Sequence, residues 1–171
     1  MLKIVYPICC GIDVHETSIV ATVASTDSNR VTTYKASRSS TFTKELRELS
    51  EWLHSNSCKQ VCMESTDKYW IPIYNIWKST CTITLAHPKY IKAIRGKKTD
   101  KKDSKWIADL FKHDFVNGSF IPPLAIRQLH ALIRYRVKLA NFKSSEKNRT
   151  QNALTVSINV NEKVSHSLMK F

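Results

Sequence analysis

The sequence predicts an α/β domain, a mixed sheet with flanking helices, followed by a long helical or coiled-coil extension. Three observations carry that prediction. Short β-branched and apolar runs alternate with segments of helical period through the first two thirds of the chain. From Leu124 onward there is neither Gly nor Pro, and apolar positions recur along a basic segment. With 171 residues and 42% hydrophobic content, the chain is long enough for one real core and its extension, and not comfortably for two domains.

Ile4 to Val14 reads as the first strand, and Ile19 to Ala24 resumes the pattern after the polar His15–Ser18. Asp27-Ser28-Asn29 is a turn and Arg30 to Tyr34 a third strand, which gives an antiparallel meander. Asp13 then falls at a strand end, on the rim of the sheet. Ser39-Ser40-Thr41 precedes Phe42, Leu46, Leu49, Trp52 and Leu53 at helical spacing, a crossover helix with Glu45 and Glu48 near its front and His54 near its back. Gln60 to Met63 is a short strand that ends at Glu64. Tyr69 to Trp77 reads as a helix, since Pro72 is tolerated in a first turn. Cys81 to Leu85 is the next strand, Pro88 to Ile94 a short helix, Arg95 to Thr99 a basic loop, and Asp100 to His113 a helix burying Trp106, Ile107, Leu110 and Phe111. Asn117-Gly118 and Pro122-Pro123 close the domain, so the expected division is 1–120 and 121–171. Beyond it, Leu129, Leu132, Ile133, Leu139 and Phe142 mark a helix of over thirty residues that needs a partner for its apolar stripe.

Charge narrows the partner. Lys and Arg number 27 against 14 Asp and Glu, a net charge of +13, which points to a polyanion, with nucleic acid ahead of a membrane surface. No run of about twenty apolar residues spans a bilayer. The start lacks the pattern of a signal peptide, and a cytoplasmic location is expected. The five cysteines suit free buried thiols better than disulfides.

Within that basic chain stand four carboxylates at telling positions. Asp100 and Asp103 lie three apart at a helix start among Lys97, Lys98, Lys101, Lys102 and Lys105. One turn apart, they face one side, the geometry of a divalent-metal half-site. If the first strand is central and the strand after the crossover helix pairs beside it, Asp13 and Glu64 become neighbours. Four carboxylates can hold two Mg²⁺ about 4 Å apart for phosphodiester cleavage. The same residues can also be a turn cap, a solvated strand end and a complement to a helix dipole. The five lysines, with Arg134 and Lys138 on the long helix, are the candidate nucleic-acid contacts. His15 and His87 could touch phosphate or orient water, though loop histidines often do neither. Tyr69, Trp70 and Trp77 could stack on bases, but core packing is the expectation.

Taken in order, Gly11-Ile12-Asp13-Val14-His15, Cys62 to Trp70, His87-Pro88-Lys89 and Gly96 to Ala108 resemble the amino-terminal domain of insertion-sequence transposases with a DEDD tetrad. These are the bridge-RNA-guided serine recombinases, whose first domain is similar to the Holliday-junction resolvase RuvC. The resemblance covers about residues 8 to 155. It implies a ribonuclease-H-like (RuvC-like) fold in which Asp13, Glu64, Asp100 and Asp103 are the catalytic tetrad and bind Mg²⁺, with Mn²⁺ as substitute. It also implies DNA as substrate, a structured guide RNA as partner, and homo-oligomer assembly through the long helix. Family members carry a further carboxy-terminal domain with a nucleophilic serine, and no serine here matches it. The expected function is therefore the metal-binding domain of a DNA transposase or recombinase acting in strand cleavage and exchange, cut short and incomplete alone. A stand-alone ribonuclease-H-like nuclease or junction resolvase, and a non-catalytic basic nucleic-acid-binding module, are the alternatives. The family pattern has lysine where Glu16 stands, alanine at Ser104 and glycine at Asp67. The two acidic departures work against a bound phosphate.

Overall fold

In the computed structural model, which describes residues 2–65, 67–91 and 100–157, the described residues before Pro122 are arranged about one strand. That strand, β1 (Ile8–Val14), is the middle of a five-stranded sheet with β2 (Ser18–Thr26) and β3 (Thr32–Ser40) on one side and β4 (Gln60–Glu64) and β5 (Thr82–Ala86) on the other. The order is β3-β2-β1-β4-β5. The meander pairs antiparallel, while β4 and β5 add parallel to β1. A strand covered on both faces should be apolar throughout rather than alternating. Cys9 to Val14 accordingly are all buried, Asp13 among them.

Two boundaries differ from the sequence expectation by more than two residues. β1 starts at Ile8 rather than Ile4, because the Val5 and Tyr6 amides both donate to the Lys112 carbonyl (2.9 and 3.2 Å) and Pro7 has no amide to offer a ladder. β3 runs on to Ser40, since its serine-rich end pairs residue for residue with β2 as far as Ser18. Long-range pairing overrides composition there.

The strand period of two sorts the core into two layers. Cys10, Ile12 and Val14, with Ile19, Ala21, Val23, Val61, Met63 and Leu85, pack against α1 (Thr43–Ser55) and α2 (Trp70–Trp77). Leu46, Leu49 and Leu53 are the buried stripe of α1, and the fully buried Trp77 donates its indole N–H to the Leu46 carbonyl at 2.8 Å. Tyr69 and Trp70 also pack against this core, as expected. The other face, with Cys9, Ala24, Cys62 and Ala86, is covered by α4 (Asp100–Lys112) and by Ile91 of α3 (Pro88–Ile91). Residues 92–99, which hold the rest of the expected short helix and the basic loop, lie outside the described residues.

The stripe by which α4 meets the sheet is Ser104, Ile107, Ala108 and Phe111, all buried, while Trp106 and Leu110 are only half-buried. The small residues matter because the helix lies directly on Gly11. A β-carbon there would overlap the Ser104 carbonyl oxygen and the Ala108 amide nitrogen. Beside this contact, the buried Ser104 and Thr22 hydroxyls bond each other at 2.7 Å, which satisfies the serine that stands where alanine was expected. Asp67, where glycine was expected, has φ 45, a left-handed conformation that Asp tolerates better than most residues.

Beyond Ile121 the chain forms a second unit, described through residue 157. It is the 34-residue helix α5 (Leu124–Ser157), along which Leu129, Leu132, Ile133, Leu139 and Phe142 are exposed. Among the described residues no helix is long and apolar enough to cross a membrane.

Two substitutions test the α4 packing. Gly11→Ala should cost about 3 kcal/mol or more in urea unfolding, because backbone rather than a movable side chain opposes the new methyl. Ser104→Ala should cost about 1–2 kcal/mol by orphaning the Thr22 hydroxyl, and adding Thr22→Val should recover most of it. Additive losses in that pair would show that the two hydroxyls are not coupled.

Candidate metal and nucleic-acid site

The β1–β4 register runs from Cys9↔Gln60 to Ile12↔Met63, and the next residue on each strand is Asp13 and Glu64. Both therefore stand at the carboxyl ends of adjacent parallel strands, a place where open α/β sheets commonly bind ligands. Their parity with Gly11 and Cys62 puts them on the face that α4 covers. Asp13 is 7% exposed and Glu64 half-buried.

Helix α4 runs opposite to β1. Its Ser104 lies over Gly11, its Ala108 carbonyl accepts the Cys9 thiol at 3.6 Å, and Phe111 stacks on Tyr6 with ring centroids 4.6 Å apart. Each step along the helix is thus a step back toward the start of β1. Extrapolated the other way, the turn from Ser104 to Asp100 advances about 6 Å past Gly11, comparable with the roughly 6.6 Å from Gly11 to Asp13 along the strand. The first turn of α4 accordingly points toward the end of β1 that bears Asp13. Asp103 in that turn is half-buried. Asp100 opens the helix, but its side chain, like those of Lys101 and Lys102, lies outside the described ones, and Lys97 and Lys98 lie outside the described residues altogether.

Among the described residues, no three His, Cys, Asp or Glu side chains are grouped as an ion would need. The structure brings Asp13 and Glu64 to one edge of one face and starts α4 over that face. It does not gather Asp13, Glu64 and Asp103 into a closed cage. In chemistry the donors suit Mg²⁺ or Mn²⁺, which take hard carboxylate oxygens, and nothing in the set favours a thiolate-seeking metal.

His15 is a contact that sequence reasoning ranked low. Its Nε2 is 3.1 Å from Asp13 Oδ2, within hydrogen-bond distance. The hairpin turn that places it is closed by the His15 amide donating to the Ser18 carbonyl at 2.9 Å. The available signal was the two-residue spacing from Asp13, which puts both on one side of an extended chain.

Lys105 is tied into a network that joins β3 to α4. Its ammonium stands 4.0 Å from the centroid of the Tyr34 ring, Tyr34 donates to Asp109 Oδ1 at 2.6 Å, and Lys112 donates to Asp109 Oδ1 and Thr32 Oγ1 at 3.3 and 3.2 Å. Burial first, and then the Asp109 acceptor, push the Tyr34 phenol up and keep it protonated. In the second unit, Arg134 and Lys138 are exposed on α5, with Lys138 5.7 Å from the Phe142 ring centroid.

The thiols are free, and burial pushes those of Cys9, Cys58 and Cys62 up to about 12. They are not nucleophiles near neutral pH. A cavity of about 380 Å³ lined by Ser50, Glu51, His54, Ser55, Cys58, Thr80 and Cys81 belongs to the α1 side of the sheet, the face opposite Asp13 and Glu64.

Among solved structures, the chain is similar to RuvC of Thermus thermophilus at 12% identity over 63% of this chain and 93% of that one, TM-score 0.47. The same protein in complex with a Holliday junction substrate matches at 10% identity over 66% and 99%, TM-score 0.45. The Fowlpox virus resolvase in complex with substrate Holliday junction DNA matches at 11% over 61% and 98%, TM-score 0.47. No curated protein matches the sequence. The fold is a five-stranded mixed sheet with flanking helices, followed by a long helical unit. The profile of the IS110-type DEDD family, described as transposase, matches residues 10–158, most of the 171, and the chain belongs to that family.

Proposed function

We propose that this chain is the metal-binding domain of a DNA transposase or recombinase, holding Mg²⁺ on Asp13, Glu64, Asp100 and Asp103 for the cleavage and exchange of DNA strands. The observation that carries the reading is the β1–β4 pairing, which sets Asp13 and Glu64 at neighbouring strand ends on the face that α4 covers. Family membership supports it.

When bound, the cations would activate an attacking oxygen and stabilise the leaving oxygen of a phosphodiester. The protein's part is placement. Asp13 and Glu64 stand on strands locked by pairing on both sides, which fixes them at neighbouring strand ends against their mutual repulsion. His15 holds one Asp13 oxygen from the hairpin side. Helix α4, fixed on Gly11, brings Asp100 and Asp103 to the same end, and its lysines attract the phosphate backbone.

The second unit completes the proposal. The basic surface of α5, Arg134 and Lys138 included, contacts a structured guide RNA, and its exposed apolar positions pair with a second copy of the chain. The assembly works in the cytoplasm. Strand exchange in this reading also needs a nucleophile, which the four carboxylates do not supply.

Titration with Mn²⁺ followed by calorimetry and thermal unfolding tests the site. Saturation at a hundredfold excess over Kd should stabilise wild type by about 2.7 kcal/mol, and Asp13→Asn, Glu64→Gln and the double variant Asp100→Asn/Asp103→Asn should abolish the gain while remaining folded. A wild-type chain whose stability ignores Mn²⁺, with and without DNA, would overturn the reading. Sedimentation tests the pairing: Leu132→Glu with Leu139→Glu should convert a dimer to monomer without changing the Mn²⁺ response.

A further inference from the structure

The register that aligns the carboxylates carries one more charged group. Val20 pairs with Asp13 across β1–β2 and with Arg38 across β2–β3. Arg38, Val20 and Asp13 therefore form one row across the sheet, continued by Glu64, which pairs with Ala86. Residues directly opposite share a face, so the Arg38 side chain leaves the sheet on the side of Asp13 and Glu64. Two strand spacings, about 9.6 Å, separate the backbone of Arg38 from that of Asp13.

Further back on the same face of β3, Tyr34 lies under Lys105 and pairs with Asp109 of α4. Arg38 lies beyond that contact. It is exposed, and among the described residues its hydrogen bond is to the Ser18 hydroxyl at 3.4 Å, with no carboxylate paired to it. By contrast, the buried Lys112 of this face is bound to Asp109. A guanidinium presents a planar fork of donors suited to a phosphate. An acidic site repels a polyanion unless cations flank it, and Arg38 supplies a cation on the row of the acids themselves.

We propose that Arg38 holds a backbone phosphate of the DNA strand whose cleaved linkage lies over Asp13 and Glu64. The inference rests on the metal-dependent reading above and names a substrate contact for that same site. β3 is then a phosphate rail at the edge of the sheet.

The test is binding of a short fluorescein-labelled DNA duplex by the full chain, measured by anisotropy across a salt series with Mn²⁺ present. Arg38→Ala should weaken binding roughly tenfold and lower the slope of log K against log salt by about 0.9, one phosphate contact. Arg38→Lys should keep the slope and recover part of the affinity. Arg47→Ala, on α1 across the sheet, should leave both unchanged, and calorimetry without DNA should give Arg38→Ala the wild-type Mn²⁺ affinity and thermal stability. Equal losses for Arg38→Ala and Arg47→Ala, or none for Arg38→Ala, overturn the assignment. If wild type binds Mn²⁺ and DNA while Arg38→Ala behaves identically, Arg38 alone is wrong; if wild type binds neither, the metal-dependent reading falls with it.

Discussion

The seating of α4 on Gly11 is the contact on which the domain depends. It requires a position without a side chain in the middle of the central strand, opposite a helix whose facing residues are small. Ser104 and Ala108 meet that requirement, and the Ser104–Thr22 hydroxyl pair satisfies the one polar side chain in the contact. Backbone-to-backbone packing of this kind leaves little freedom to slide or tilt. The direction of the helix, and so the place where its first turn begins, follows from a chain of contacts from Gly11 through Cys9 to Tyr6.

The electrostatic arrangement depends on that seating. A chain of net charge +13 sets two carboxylates, Asp13 and Glu64, at neighbouring strand ends of one sheet, one of them buried. Such a pair is unfavourable in isolation, and strand pairing on both sides resists its separation. Arg38 stands on the same row, two strands away. Lys105 and Lys112, meanwhile, are partly committed to the Tyr34–Asp109 network. The basic character therefore divides into cations that brace β3 against α4 and cations left facing solvent.

The second unit follows a different logic. A 34-residue helix gains little from intrinsic propensity. Leucine, isoleucine and phenylalanine exposed along it, among arginines and lysines, make a surface with both apolar and electrostatic reach. The first unit buries its apolar residues in two layers of its own.

Much of this was legible from local pattern. Alternation, helical period and turn residues gave the order and type of the elements, and the lysine-rich segment with Asp100 and Asp103 stood out as a helix start. What the pattern could not convey was register, because pairing joins residues far apart in sequence. Which strand residue faces α4, the need for glycine at position 11, the late start of β1 and the full length of β3 all follow from such pairing. Ser104 was missed as a buried residue because hydrophobicity does not mark a serine whose partner is eighty-two positions away. His15 looked like a loop residue until the hairpin placed it on Asp13. By itself the sequence determined the elements and the candidate carboxylates, since those are written in local period and side-chain chemistry. The tertiary structure alone decided that Arg38, Asp13 and Glu64 share a row and that α4 seats on Gly11 of the same face, because only strand register and close packing carry that information.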